Sequence, residues 1–177
     1  MELIIELERS ILLFFQSIRS APMDKIMIFI TTLGDSGLLW ILVSIGLIFN
    51  KKFRRVGIIS LLSLLLCFLL NNIVIKNIIQ RPRPFYSIQD LRILISIPSE
   101  FSFPSGHSSS SFAAATGMFL ASKKKVFYLF YILAFFIAIS RVYVGVHYLS
   151  DVLVGAFVGI LCGVMVNKLF LKYIPEK

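Results

Sequence analysis

Three short stretches of this sequence carry the residue types of phosphoryl chemistry. "KNIIQRPRP" holds Lys76, Arg81 and Arg83; "FPSGH" holds Ser105, Gly106 and His107; "SRVYVGVHYLSD" holds Ser140, Arg141, His147 and Asp151. The chain has two histidines, and both fall in these stretches. His147 and Asp151 are four residues apart, so on a helix they share a face and can touch. A carboxylate that takes the proton of one imidazole nitrogen fixes the tautomer and leaves the other nitrogen free to attack. Clustered Lys and Arg neutralise and orient phosphoryl oxygens, Arg bidentately. A Ser-Gly pair at a helix start offers backbone N–H groups to an anion. His107 is then available as a general acid for a leaving oxygen that departs poorly without a proton.

The elements that must bring these stretches together are membrane helices. Of the 177 residues, 58% are hydrophobic, and the mean hydropathy is +0.89. A helix needs ~20 mostly apolar residues to cross a bilayer, and the apolar runs here lack the polar face of a soluble helix. Spans are expected at 26–49, 56–75, 107–121, 126–140 and 148–170. The first is weakened at Leu33-Gly34-Asp35-Ser36-Gly37, where a helix break is expected. Residues 3–18 are interrupted by Glu6, Glu8 and Arg9, with Glu6, Arg9, Ser10, Gln16 and Ser17 on one side. That suits an amphipathic helix at the interface or a poor first span. The expectation is an all-α polytopic bundle of five to six membrane helices, forming a single domain over 1–177. No cleavable signal is expected, since Glu2, Glu6 and Glu8 stand where a signal would be basic.

Orientation follows from Lys and Arg in the loops. Lys51, Lys52, Arg54, Arg55, Lys123, Lys124, Lys125, Lys168, Lys172 and Lys177 fall at one end. Lys25, Lys76, Arg81, Arg83, Arg92 and Arg141 fall at the other. Ten against six puts the first set in the cytoplasm and all three chemical stretches at the extracytoplasmic face. The net charge of +9 is thus mostly a topology signal, and a nucleic-acid partner is a poor reading because the basic residues do not gather on one soluble face.

The three stretches resemble the signature of the type 2 phosphatidic acid phosphatase (PAP2) superfamily. Its pattern is Lys, six residues, Arg-Pro; then Pro-Ser-Gly-His; then Ser-Arg, five residues, His, three residues, Asp. Lys76 pairs with Arg83-Pro84 at that spacing, which selects Arg83 over Arg81. Pro104-Ser105-Gly106-His107, Ser140-Arg141, His147 and Asp151 match in full. The resemblance implies a metal-independent membrane lipid phosphatase without a cofactor. It implies His147 as the nucleophile that forms a phosphohistidine and Asp151 as its partner. It implies His107 as the acid, and Lys76, Arg83, Ser105, Gly106 and Arg141 as phosphate ligands. Undecaprenyl diphosphate is the leading substrate expectation, ahead of phosphatidylglycerophosphate and lipid A phosphate. A lipid phosphotransferase and an anionic-lipid carrier are the alternatives.

Other polar residues have plainer expectations. Arg81 and Arg92 read as anchors or headgroup contacts. Asp35 reads as part of a helix break, and Asp24 and Glu100 as exposed loop charge. The serines at 108–111 read as close helix packing, and Tyr143 and Tyr148 as interfacial aromatics. Cys67 and Cys162 lie in apolar runs away from other metal-ligand types, which favours packing over a disulfide or a metal site.

Overall fold

Gly, Pro and the left-handed residues between the apolar runs divide the chain into helices. The computed structural model describes residues 2–173, so Lys177 lies outside the described residues. The order is α1 (Glu2–Ser17), α2 (Ala21–Thr32), α3 (Leu38–Phe49), α4 (Arg54–Cys67), α5 (Lys76–Ile79), α6 (Pro84–Ser87), α7 (Gly106–Ser122), α8 (Tyr128–Tyr143) and α9 (Leu149–Tyr173). The expected break between α2 and α3 contains Ser36 at φ 54° and Gly37 at φ 65°, and the two helices bend by 43° across it. α4 runs into α5 through a π-helical stretch, Phe68–Ile75. This rod stops where Gln80 turns left-handed, at φ 48°, ahead of Pro82 and Pro84, because proline cannot donate to a continuing helix.

Three helical segments among the described residues are long and apolar enough to cross a membrane: Arg54–Ser87, Lys125–Tyr143 and Leu149–Tyr173. The bent pair α2–α3 passes the same test of length and composition when its two helices are taken together. The expected all-α membrane bundle is therefore the observed architecture. α7, read from sequence as a span over 107–121, is the central helix, with Ser108, Ser109, Ser111, Ala113–Ala115, Thr116, Gly117 and Met118 buried.

Small residues let α9 approach α7 closely. A Cβ on Gly155 would stand 2.6 Å from the Ser105 carbonyl oxygen, and one on Gly163 would stand 2.6 Å from Thr116 Cβ. Gly159, between them, abuts the Ser109 carbonyl oxygen. In a bilayer, where lipid tails remove the hydrophobic drive between helices, such contact supplies dispersion energy and brings hydrogen-bonding groups within reach. Ser108 Oγ donates to the Val152 carbonyl oxygen at 2.7 Å, and Trp40 Nε1 donates to Ser111 Oγ at 2.9 Å. The opposite face of α9 turns Leu153, Phe157, Leu161 and Met165 outward. Ser108, Ser109 and Ser111 thus pack as expected, while Ser110 lines a cavity.

The basic loops meet at one end of the bundle. Lys124 sits over the Phe53 ring, Phe53 packs on Phe127, and Arg55 sits over Phe170 near the end of α9. α1 lies against α8 and α9 and carries Leu3, Ile4, Ile5 and Leu7 outward, while Glu8 and Leu12 are buried. Its far end pins the 88–94 segment: Gln16 Nε2 donates to the Asp90 carbonyl oxygen, and the Arg92 N–H donates to Gln16 Oε1. Cys67 and Cys162 are free, buried and packed with Ala113.

Candidate active site

Each chemical stretch sits where a helix starts or ends, at the end of the bundle opposite the basic loops. Lys76 opens α5, Arg83 precedes α6, Ser105 caps α7, Arg141 lies in the last turn of α8, and Asp151 lies in the first turn of α9. Lys76, Arg83, Gly106, His107, Arg141 and His147 line one cavity of about 880 Å³.

His147 occupies the loop between α8 and α9, not the helix that its four-residue spacing from Asp151 had implied. The pairing survives by another route. Asp151 Oδ2 accepts the Tyr148 N–H at 2.9 Å, the acidic half of a capping box at the start of α9. That turn holds the carboxylate 3.5 Å from His147 Nδ1. Arg83 Nη1 lies 3.2 Å from His147 Nε2 and also donates to the Val146 carbonyl oxygen at 3.0 Å. A guanidinium is a donor only, so Nε2 faces it as the acceptor and the ring proton belongs on Nδ1. The imidazole is fully buried, and burial, reinforced by Arg141 and Arg83, pushes its pKa down to about 3 against the pull of Asp151.

Ser105 is the N-cap of α7, its Oγ accepting the Ser108 N–H at 3.4 Å. Its own backbone N–H donates to the Asp151 carbonyl oxygen at 3.0 Å. This joins the starts of α7 and α9 and leaves the first-turn N–H groups of Gly106 and His107, which have no partner inside the helix, as the ones beside the cavity. Gly106 lies against Asn72 and Lys76 Nζ. Arg141 is buried and donates from Nη1 to Thr31 Oγ1 at 2.7 Å.

Several expectations are corrected here. Arg81 is no surface anchor: it donates to Asp151 Oδ1 at 2.7 Å and to Glu8 Oε2 at 2.5 Å, and lies 3.9 Å over the Tyr148 ring. Ser150 Oγ also bonds Glu8. Glu100 is an exposed loop charge as expected, and it also accepts from Lys76 Nζ at 2.5 Å, which holds its carboxyl below the usual range. Asp24 accepts the Tyr143 hydroxyl at 2.7 Å. Tyr143 and Tyr148 are buried and so are not a membrane-surface belt. Ser102, which no motif singles out, donates to Asp151 Oδ2 at 2.5 Å. Asp35 reaches His107 Nε2 at 2.9 Å. A usable sequence signal existed for Glu8, the charged residue of 3–18 that falls off the polar side formed by Glu6, Arg9, Ser10, Gln16 and Ser17; Ser102 and Asp35 had none beyond their proximity to a motif or a break.

Among the described residues, no group of three or more His, Cys, Asp or Glu is arranged to hold a metal ion. The charged side chains lining the cavity are the cations Lys76, Arg83 and Arg141 and the carboxylates Asp35 and Glu100.

Comparison with known proteins gives the family. The PAP2 superfamily profile matches residues 57–175. The chain is 36% identical to phosphatidylglycerophosphatase B of Bacillus subtilis over 157 residues, 81% of this chain and 73% of that one. It is 32% identical to the undecaprenyl-diphosphatase of Sulfolobus acidocaldarius over 139 residues, 78% of this chain and 66% of that one. A crystal structure of a transmembrane PAP2-type phosphatidylglycerolphosphate phosphatase from Bacillus subtilis superposes with a TM-score of 0.81 at 32% identity, covering 98% of this chain and 89% of the other. The chain belongs to the PAP2 superfamily, and is a membrane lipid phosphatase of that family.

Proposed function

We propose that the protein removes phosphate from a lipid phosphate or diphosphate, with undecaprenyl diphosphate as its leading substrate, at the extracytoplasmic face. The observation that carries this reading is His147 Nε2, held by Arg83 on a cavity whose other end is apolar. Ile41 of α3, Leu61, Leu64 and Leu65 of α4, and Phe68 continue the same cavity away from the cations. A phosphate headgroup suits the first end and a hydrocarbon chain suits the second.

In the first step Nε2 attacks phosphorus, the bond to the leaving oxygen breaks, and that oxygen takes a proton from His107. Lys76, Arg83, Arg141 and the N–H groups of Gly106 and His107 hold the equatorial oxygens. Asp151 steadies the positive charge that grows on the ring. Water then attacks the phosphohistidine and passes its proton to His107, and inorganic phosphate leaves as the P–N bond breaks. The extracytoplasmic placement rests on the Lys/Arg asymmetry between the two ends of the bundle.

A second substrate, phosphatidylglycerophosphate, is favoured by the Bacillus subtilis relatives, a phosphatidylglycerophosphatase and a phosphatidylglycerolphosphate phosphatase. The two differ in leaving group. A diphosphate expels a phosphate ester, and phosphatidylglycerophosphate expels an alkoxide, which leans more on His107. The test is phosphate release by purified protein from both lipids, with acid-labile phosphoenzyme trapped by quenching. The reading expects turnover and a phosphoenzyme with wild type and neither with His147→Ala. A phosphoenzyme that persists in His147→Ala overturns the assignment of the nucleophile.

A further inference from the structure

The break between α2 and α3 carries Asp35 to His107. Its Oδ1 lies 2.9 Å from Nε2, with the imidazole 18% and the carboxylate 61% exposed. The approach is built into the backbone. A Cβ on Gly34 would stand 2.6 Å from His107 Cδ2 and 2.7 Å from Ile137 Cγ2, so the turn lies flat on the ring only because residue 34 is glycine. Ser36 and Gly37 follow with positive φ, and they aim the turn back into α3.

Charge gives the contact a purpose. Arg83 and Arg141 share the cavity with His107, and two cations there oppose a third on the ring. Asp35 and Glu100 are the carboxylates lining the cavity. Glu100 is bound to Lys76, while Asp35 is on His107. We propose that Asp35 is the positioning residue of the general acid: it fixes the plane of His107 and balances the imidazolium charge between turnovers. An imidazolium has two N–H groups, so holding one leaves the other for the leaving oxygen. His107 regains its proton from the attacking water, so Asp35 itself transfers none. This rests on the reading of His107 as the acid, and it makes the α2–α3 break part of the catalytic apparatus, outside the residues matched by the family motif.

The test uses full-length protein in detergent with dioctanoyl phosphatidic acid, which expels an alkoxide, and p-nitrophenyl phosphate, which needs little protonation. Asp35→Asn is expected to lower kcat on the alkyl substrate about fivefold, the upper end for a partly exposed ion pair, and on the aryl substrate by less than about twofold. The alkaline limb of kcat for the alkyl substrate should move down by about half a pH unit, since the acid loses its proton earlier without the carboxylate. Asp35→Glu should restore most of both. Equal losses on the two substrates, or no loss with an unmoved limb, overturn the proposal. His107→Gln, run alongside, separates the underlying reading. If it shows no leaving-group dependence, the acid assignment fails and the proposal with it. If it shows dependence and Asp35→Asn does not, the Asp35 proposal alone fails. Should Asp35→Asn not fold, Gly34→Ala, which pushes the turn off the ring, must give the same selective loss.

Discussion

Arg83 Nη1 stands 3.2 Å from His147 Nε2 while Asp151 Oδ2 stands 3.5 Å from Nδ1 of the same ring. The buried imidazole is thus held between a donor and an acceptor, neutral, with the lone pair on Nε2.

A neutral ring at low pH follows. Burial pushes the His147 pKa to about 3, so the nucleophile should remain unprotonated well below the usual histidine range near 6.5. In His107→Gln, which leaves His147 as the one histidine, ring NMR signals should not titrate between pH 7 and 5. Arg83→Met removes a repelling cation and should move the titration upward. The stability consequence has a definite sign. Below about 6.5 the unfolded state binds a proton that the native state refuses, so stability should fall as pH drops from there toward 3. A midpoint near 6.5 in the folded protein would contradict this picture.

Arg81 should matter as much as the motif arginine. It bridges the buried carboxylates of Glu8 and Asp151. Removing one member of a buried pair leaves uncompensated charge, at a cost of about 3 kcal/mol. Arg81→Met should lower the melting temperature and also kcat, because Asp151 loses a partner. Glu8→Gln in the same chain should recover part of the stability and little of the rate. Melting curves and turnover of the single and double variants measure the coupling.

The α7–α9 seam should be intolerant of side-chain volume. Gly159→Val drives methyl groups into the backbone at Ser109 and is expected to cost about 2–3 kcal/mol. Gly46→Ala on α3, where an added Cβ meets nothing within 4 Å, should be neutral or stabilise by up to about 1 kcal/mol. Thermal unfolding in one detergent compares them.

Accessibility tests the orientation. Gln89 is exposed in the 88–104 segment, and the native Cys67 and Cys162 are buried. Gln89→Cys should react with an impermeant thiol reagent added to intact cells. Labelling only after lysis would place the site on the cytoplasmic side.

Activity should survive strong chelation, because Lys76, Arg83 and Arg141 supply the charge that a metal would otherwise provide. Phosphate release measured with and without EDTA checks it; loss in EDTA reversed by magnesium would overturn it.

The apolar run lengths determined a helical membrane bundle, because a bilayer leaves backbone N–H and C=O groups no partner except one another. Spacing determined which His, Arg, Lys and Ser-Gly residues belong together, since motif positions at helix ends reflect local geometry. The break at Gly34–Gly37 was legible for the same reason: two glycines around an aspartate interrupt a helix locally. What that break does was not. Asp35 meets His107 across 72 residues of chain, Arg81 meets Glu8 across 73, and Ser102 meets Asp151 across 49. Each partner is chosen by how α1, the α2–α3 turn and the 88–104 segment fold back over the ends of α7 and α9. Packing of distant segments brings these groups together, and a linear pattern carries no record of that proximity. The His147–Asp151 pair shows both sides of the division. Four-residue spacing announced the contact, but only the fold decided that a loop and a helix cap would make it.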